Sequence, residues 1–229
     1  GLQIHHVRGR NHTATGFTAD TFEQVTAADP TQIIAVNQAV DARTKGSLEE
    51  IAPTTVKPNG YEDWQVPWEK QVETIADAVG KEDEGDKLID DTEKAFEEFR
   101  HEHAELQDKS AAIVMPYDGK IGLYTEEDGR GQFIEDLGME IPDALQGDGG
   151  SFFVDIAPEN YAKLNQVDYL FVLDYNGSSD ALKKDKTFQG LDIVKDDRVR
   201  YLDTDTGNAM SMPNPVTIPW AVDKFEEKL

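Results

Sequence analysis

Short apolar runs, each about the length of one strand, alternate with helical segments through the second half of this chain. Asp168–Leu173 (DYLFVL) has the continuous apolar character of a strand buried on both faces. The other predicted strands are Ala111–Met115, Ile121–Tyr124 and Val199–Leu202, and the predicted helices are Gln132–Leu137, Pro158–Leu164 and Pro219–Leu229. This alternation predicts an α/β unit with a largely parallel sheet.

The first half shows a weaker version of the same pattern and then becomes helical. Thr21–Ala27 is a predicted helix capped by Asp20 or Thr21, Gln32–Val36 is a predicted strand, and Leu48–Ile51 is a predicted helical turn. From Trp68 onward the apolar residues recur at helical spacing, with a break at Gly80. We therefore expect three parts: a partial α/β lobe over 1–67, a connecting helical region over 68–109, and a second α/β lobe over 110–229.

Charge and cysteine content restrict the function classes. The net charge is −24 and no basic run offsets it, so nucleic acid and anionic lipid headgroups are poor partners. The absence of cysteine excludes thiol catalysis, disulfides and cysteine-bound zinc. No apolar run reaches the length of a membrane span and no signal peptide is present, so any export signal or lipid anchor is expected to have been removed ahead of residue 1.

The stretch 122–142 (GLYTEEDGRGQFIEDLGMEIP) contains the most specific candidate. Its loop, Thr125–Gly131, connects a strand to a helix and carries one cation, Arg130, among three carboxylates. Arg130 is either an internal ion pair or a hook for an anionic ligand. Guanidinium suits the second role because it stays charged, offers a fork of donors and stacks on rings.

Six segments in a fixed order resemble the iron-siderophore-binding proteins, the substrate-binding components of ABC importers. Those segments are 22–34 (FEQVTAADPTQII), 48–54 (LEEIAPT), 68–80 with Trp68 and IADAVG, 128–138 (DGRGQFIEDLG), 158–172, and 217–223 (TIPWAVD). The fourth segment is similar to the catecholate-type members. The resemblance implies a two-lobed clamshell linked by one long helix, with the ligand held in the cleft and small lobe motion. The strand and helix that open the family's first lobe are missing ahead of Phe22, so we expect a truncated first lobe.

The resemblance and the loop positions together suggest a set of ligand-facing residues. Aromatic walls and a few positive groups would suit a ferric chelate. The candidates are Arg130, Tyr124, Tyr175, Trp64, Tyr61, Arg8, Arg10, Met212 and Asn214, with Asn208 and Met210 in the same predicted loop before the last helix. Ordinary packing explains any single aromatic residue or methionine equally well, and the basic patch HHVRGRNH could be a solvated end. Its three histidines, His5, His6 and His12, could hold an adventitious metal ion, but no metal bound directly by the protein is expected.

Two glutamates form a separate candidate pair. Glu23 and Glu159 are each predicted at the beginning of a helix in their own lobe. In the family, matching glutamates contact arginines of the membrane permease, although an acidic residue also suits a first helical turn because of the helix dipole.

The resulting prediction is an extracytoplasmic binding protein, not an enzyme, that delivers a ferric siderophore to an ABC permease. It needs no cofactor, and it is expected to be monomeric and anchored by lipid through a removed N-terminal segment. The alternatives are a binding protein for haem, cobalamin or another metal chelate, and an acidic α/β hydrolase-like enzyme. The sequence contains no G-x-S-x-G, P-loop, G-x-G-x-x-G or H-E-x-x-H motif.

Overall fold

A computed structural model describes residues 17–229, and these residues divide into two compact units with the boundary between Asp86 and Lys87. The α/β class predicted from the sequence is confirmed. The three-part division stays a prediction, and the boundary between the units lies inside the region predicted to connect the lobes.

The first unit consists of a two-stranded parallel sheet and helices. Its elements are α1 (Ala19–Ala27), β1 (Ile33–Ala35), α2 (Ala42–Glu49), β2 (Thr54–Val56) and α3 (Trp68–Val79). Strands β1 and β2 pair in parallel with Ile33 opposite Thr54. The predicted cap of α1 at Asp20 or Thr21 is wrong: Thr18 is the N-cap, and its hydroxyl and that of Thr21 each accept a backbone N–H of the other at 3.3 Å.

Helix α4 (Glu82–Glu102) carries the chain from the first unit into the second. The turn before it depends on Gly80, which has a φ of 66° and closes α3 in the left-handed conformation. On its second-unit side, Thr92, Phe96 and Phe99 are buried, as the helical spacing predicts.

The second unit is built on a five-stranded mixed sheet. Its elements are β3 (Ala111–Tyr117), β4 (Lys120–Tyr124), α5 (Gly129–Asp136), β5 (Phe153–Ile156), β6 (Tyr169–Asp174), α6 (Ser179–Leu182), α7 (Lys186–Gln189), α8 (Asp192–Lys195), β7 (Val199–Asp203), α9 (Thr204–Ser211) and α10 (Thr217–Glu226). The strand order is β5-β4-β3-β6-β7. Only the β3–β6 and β6–β7 pairs are parallel, because β3, β4 and β5 form an antiparallel meander, so the predicted largely parallel sheet is corrected to a mixed one.

Two further sequence predictions in this unit need correction. Residues 158–166 form a 3₁₀-helix instead of an α-helix. The predicted loop before the last helix is largely helix α9, so Asn208 and Met210 lie within a helix, and Met210 is completely buried.

The sheet buries apolar side chains on both faces, as expected for a central layer. One face packs on a cluster that includes Leu164, Leu182 and Phe188. On the other face, Phe171 of β6 contacts Phe225 of α10 with ring centroids 4.5 Å apart, and Phe133 of α5 joins the same group of rings. These two cores hold in fixed positions Tyr124, which ends β4, and Tyr175, which follows β6, and the candidate site is built on these two residues.

Candidate functional site

The loop between β4 and α5 is held in a tight conformation by its cap and its glycines. Asp128 is the N-cap of α5, and its Oδ1 accepts the backbone N–H of Arg130 at 2.9 Å. A Cβ atom added at Gly131 would lie 1.9 Å from the carbonyl oxygen of Thr125, so only glycine allows the helix to begin this close to the loop. The loop therefore places Arg130 in the first turn of α5 with little freedom.

Arg130 lies over an aromatic ring in a largely enclosed position. Its guanidinium carbon is 3.8 Å from the centroid of the Tyr124 ring at the end of β4. Its Nε is 3.3 Å from Oδ1 of Asp128, and the two side chains keep only 15% and 14% of their exposure. Because this contact lacks hydrogen-bond geometry, Nε and Nη1 of Arg130 are buried without a hydrogen-bond partner among residues 17–229.

Tyr124 and Tyr175 supply hydroxyl groups that stay protonated at neutral pH. Burial raises the pKa of Tyr124 to about 12, although the nearby Arg130 charge partly opposes this shift. Burial likewise raises the pKa of Tyr175, which follows β6 and also interacts electrostatically with Arg130 and Asp128. A Cβ atom at Gly207 of α9 would lie 2.9 Å from the Tyr175 hydroxyl oxygen, so this glycine makes room for the phenol.

Asp128 is a buried carboxylate beside the guanidinium. Burial raises its pKa, and the charge of Arg130 and the backbone N–H of the same residue partly offset the rise. Arg130 is thus ion-paired with Asp128 and retains two donor nitrogens that no described group satisfies, and its role as a hook for an anionic ligand stays a prediction.

An aromatic row that the sequence did not reveal borders Tyr124. The ring of Phe153 on β5 lies 5.2 Å from the Tyr124 ring and 5.5 Å from the Tyr117 ring. Phe153 covers Gly122, where a Cβ atom would be 1.8 Å from the phenylalanine ring. Gly122 within a strand was the available sequence signal, since an interior strand glycine often marks the close approach of another group.

An acidic recess of about 260 Å³ lies beside the loop. Its walls include Glu126, Glu127, Asp143 and Asp148, together with glycines 147, 149 and 150. Among the described residues there is no group of three or more histidines, aspartates or glutamates arranged to hold a metal ion.

Of the other predicted ligand-facing residues that the structure describes, two lie in the first unit and two follow α9. Tyr61 is half-buried and Trp64 is 44% exposed with a φ of 68°, and both belong to the first unit. Met212 is 51% exposed just after α9. The side-chain amide of Asn214 is engaged in its own turn, accepting the N–H of Val216 at 3.0 Å and donating to the carbonyl of Met212 at 3.1 Å.

The predicted docking glutamates are both exposed. Glu159 lies in the first turn of the 3₁₀-helix Pro158–Gln166, as predicted. Glu23 is in the second turn of α1, with Asp20 as the acidic residue of the first turn, so the prediction that Glu23 begins a helix is wrong. Arg8 and Arg10, with His5, His6 and His12, lie outside the described residues.

A mixed α/β unit with a cationic and aromatic group at its strand ends, preceded by a smaller parallel unit, defines a solute-binding protein. The chain belongs to the family described as "Periplasmic binding protein", whose model matches residues 13–206. This is a family of extracytoplasmic solute-binding proteins and not of enzymes, which sets aside the hydrolase-like alternative.

Solved structures agree with this assignment. The iron uptake ABC transporter substrate-binding protein PiaA from Streptococcus pneumoniae TIGR4 is 26% identical with a TM-score of 0.76, and the match covers 90% of this chain and 72% of PiaA. PiaA in complex with ferrichrome matches at 25% identity and the same TM-score, covering 90% of this chain and 71% of that one. SirA of Staphylococcus aureus complexed with staphyloferrin B has the same fold at 21% identity and a TM-score of 0.69, covering 90% of this chain and 74% of that one.

No curated protein matches the chain. Among residues 17–229, no helix combines the length and the apolar character that crossing a membrane requires.

Proposed function

We propose that this protein is the substrate-binding component of an ABC importer and that it carries a ferric siderophore to a membrane permease for iron uptake. The family assignment and the likeness to PiaA, which was solved with ferrichrome, support this proposal. The protein forms and breaks no bond. Burial of the chelate supplies the affinity, and the polar groups of the site fix its orientation. The iron arrives already held by the organic ligand.

The observation that carries the proposal is the state of Arg130. Two of its nitrogens are buried without a hydrogen-bond partner, and its guanidinium lies 3.8 Å above the Tyr124 ring. A buried donor left unsatisfied costs roughly 1–3 kcal/mol, so such groups are uncommon unless a ligand completes them. The oxygen atoms that surround ferric iron in a siderophore are suitable acceptors, and the adjacent rings suit its organic shell.

Tryptophan fluorescence tests this function directly. The chain contains three tryptophans, and a bound ferric chelate should quench their emission. We expect saturable quenching, with one chelate per chain, for at least one class among ferric hydroxamate, catecholate and citrate complexes. Binding of haem or cobalamin alone would favour those ligands instead, and the absence of a response to every iron chelate would refute the proposal.

A matched pair of substitutions tests the role of Arg130. Arg130→Gln removes one positive charge at the site, whereas Lys195→Gln removes one from α8, which precedes β7 at the sheet edge farthest from β4 and β5. Loss of a charged hydrogen-bonding group should weaken chelate binding by roughly tenfold or more for Arg130→Gln, and Lys195→Gln should bind like the wild type. If Arg130→Gln lowered the thermal midpoint strongly and left affinity unchanged, Arg130 would be structural.

We also propose that Glu23 and Glu159 contact the permease, one from each unit. Both are exposed and lie on short helices. Glu23→Arg and Glu159→Arg should each reduce uptake of the labelled chelate into cells roughly tenfold through loss of charge-assisted hydrogen bonds, with unchanged chelate binding. The control is Glu98→Arg, at an exposed glutamate of α4. Uptake that fell equally in all three variants would argue against docking by this pair.

We further propose that the protein acts as a monomer and that a lipid anchor holds it on the extracytoplasmic face of the membrane. The family's extracytoplasmic location supports the placement outside the cytoplasm. Light scattering should give the mass of one chain, and fractionation of cells expressing the full precursor should find the product with the membrane. A dimer, or a freely released product, would contradict the corresponding part of the proposal.

A further inference from the structure

Resting on the proposed function, we infer that this site selects ferric chelates without net charge, such as tris-hydroxamates, over trianionic tris-catecholates, and that Asp128 is the specificity-determining residue. This inference replaces the catecholate-type ligand that the loop sequence suggested. The selectivity depends on how the positive charge of Arg130 is compensated, which the sequence could not show.

The positive charge at the site is already neutralised by a buried neighbour. Asp128 lies 3.3 Å from the Arg130 guanidinium, and both side chains are about five-sixths enclosed. Opposite charges at this distance interact strongly where water is excluded. Arg130 therefore offers a ligand its hydrogen-bond donors and its stacking face but little net charge.

Asp128 is not required in its charged form for the local fold. As the N-cap of α5 it needs only a side-chain oxygen to accept the Arg130 backbone N–H, and asparagine caps helices as well as aspartate does. What the carboxylate adds to the cap is a negative charge beside the guanidinium. Burial opposes that charge.

The surroundings of the pair are acidic. Glu126 and Glu127 precede Asp128 in the same loop and line the recess of about 260 Å³, together with Asp143 and Asp148. Among residues 17–229, no lysine or arginine lines the recess. A trianionic ligand at Arg130 would therefore be bound beside a loop that carries Glu126, Glu127 and Asp128, in a chain whose net charge is −24.

Cations elsewhere in the described chain are largely committed to carboxylates. In the first unit, Lys45, Lys57, Lys70 and Lys81 each have a carboxylate oxygen within 3.5 Å. Near the aromatic row, Lys120 is paired with Asp155.

The charge of the chelate then decides which class fits. Three hydroxamates, each a monoanion, cancel the three positive charges of ferric iron, whereas three catecholates, each a dianion, leave a triple negative charge. A neutral complex can accept hydrogen bonds from Arg130 and Tyr175 without adding to the repulsion. Its affinity should not depend on Asp128 being charged.

Direct titration tests the selectivity. Wild-type protein is titrated with ferrichrome, which is neutral, and with the ferric complex of a hexadentate tris-catecholate. We expect ferrichrome to bind at least tenfold more tightly. Added NaCl should leave ferrichrome affinity unchanged and strengthen catecholate binding, because screening weakens repulsion between charges about 8 Å or more apart at physiological salt.

Asp128→Asn tests the specificity residue itself, with Asp41→Asn as control. Asp41 is the N-cap of α2 and accepts the Thr44 backbone N–H at 2.7 Å, so both substitutions remove one charge and preserve a cap. Removing a charge within about 4 Å should raise catecholate affinity roughly tenfold or more, with ferrichrome affinity within about twofold. Asp41→Asn should change neither, and thermal melts should show both variants folded.

Each outcome bears on a different statement. Tighter binding of the catecholate by the wild type would overturn this inference and leave the proposed function standing. Equal effects of Asp128→Asn and Asp41→Asn would overturn the role of Asp128. Failure of every iron chelate to bind would refute the proposed function, and this inference with it.

Discussion

Arg130 lies between two glycines whose backbones pack closely against neighbouring segments of the chain. Neither position leaves room for a side chain. Gly131 brings the start of α5 against the backbone of the preceding loop, where a Cβ atom would lie 1.9 Å from the Thr125 oxygen. Gly129 faces α9, where a Cβ atom would lie 2.8 Å from both the Ser211 carbonyl oxygen and Pro213. The sequence Gly-Arg-Gly thus places one long cation between two close backbone approaches, which limit the backbone conformations open to Arg130.

Replacing Gly131 by alanine should therefore destabilise the protein, whereas the same substitution at an uncrowded glycine should not. Gly131→Ala forces the backbone of the loop to move, and we expect a loss of about 1–3 kcal/mol in the free energy of unfolding, typical of overpacking. Gly46→Ala is the control: this glycine is inside α2, nothing lies within 4 Å of its Cβ position, and alanine should stabilise the helix by up to about 1 kcal/mol. Urea denaturation followed by circular dichroism measures both, and a neutral Gly131→Ala would contradict the close contact.

Helices α3 and α4 show a similar close backbone approach, here between two whole elements. The chain turns at Gly80 after α3 ends. Helix α4 then packs so closely against α3 that a Cβ atom at Gly85 would be 2.5 Å from the Cβ of Ala76. Ala76 is buried at this crossing. Small residues on both helices set the distance between them. In the sequence IADAVGKEDEG these residues are Ala76 and Gly85, and Gly80 forms the turn between the helices.

A double-mutant cycle tests this crossing. Gly85→Ala should destabilise the protein because its methyl group meets that of Ala76, even though alanine favours helix. In the double variant Gly85→Ala with Ala76→Gly, the methyl group is moved from one helix to the other and the space is restored. We expect a favourable coupling of about 1 kcal/mol or more between the two positions in thermal or urea unfolding. Strictly additive effects would mean that the helices do not touch there.

The elements that could be predicted from the sequence are those with one dominant pattern. The strand β6 is a continuous apolar run because it is buried on both faces, and α3 has a clear helical period ended by Gly80. The strand β5 (FVDI) was missed because it is a short edge strand with only Ile156 fully buried. Helix α9 (TDTGNAMS) was missed because polar residues and a glycine obscure its period, although Asp203 caps it well.

The candidate site was predictable to a similar extent. A single arginine in an acidic loop after a strand can be recognised in the sequence, and so can the tyrosine that ends that strand. The partner that Arg130 selects among Glu126, Glu127 and Asp128 cannot, because that choice depends on the N-cap geometry of α5. Phe153 is 29 positions beyond Tyr124 and reaches it only through the pairing of β4 and β5. A local sequence pattern does not reveal contacts that arise from the pairing of strands distant in the sequence.

At the scale of the whole molecule, the excess of negative charge opposes folding. The chain carries 46 acidic residues against 22 lysines and arginines. The ion pairs of the described residues are mostly exposed, such as Lys81–Glu84 with side-chain exposures of 59% and 64%, and pairs of this kind contribute little. Salt weakens both these attractions and the general repulsion. Because the carboxylates outnumber the cations about twofold, the loss of repulsion should be the larger effect.

Added NaCl should therefore raise the thermal midpoint, and the shape of the curve identifies the cause. Screening is nearly complete once the Debye length falls from about 30 Å at 0.01 M to about 8 Å at 0.15 M, so most of the rise should occur below roughly 0.3 M. For a chain of this size each kcal/mol gained shifts the midpoint by about 2–4 °C. Sucrose, which stabilises proteins through exclusion from their surface, serves as the uncharged control and should give a steady increase without a plateau. A midpoint that fell with NaCl would mean that the ion pairs outweigh the repulsion. A linear rise like that in sucrose would mean that solvent exclusion, and not the charge of −24, controls the response.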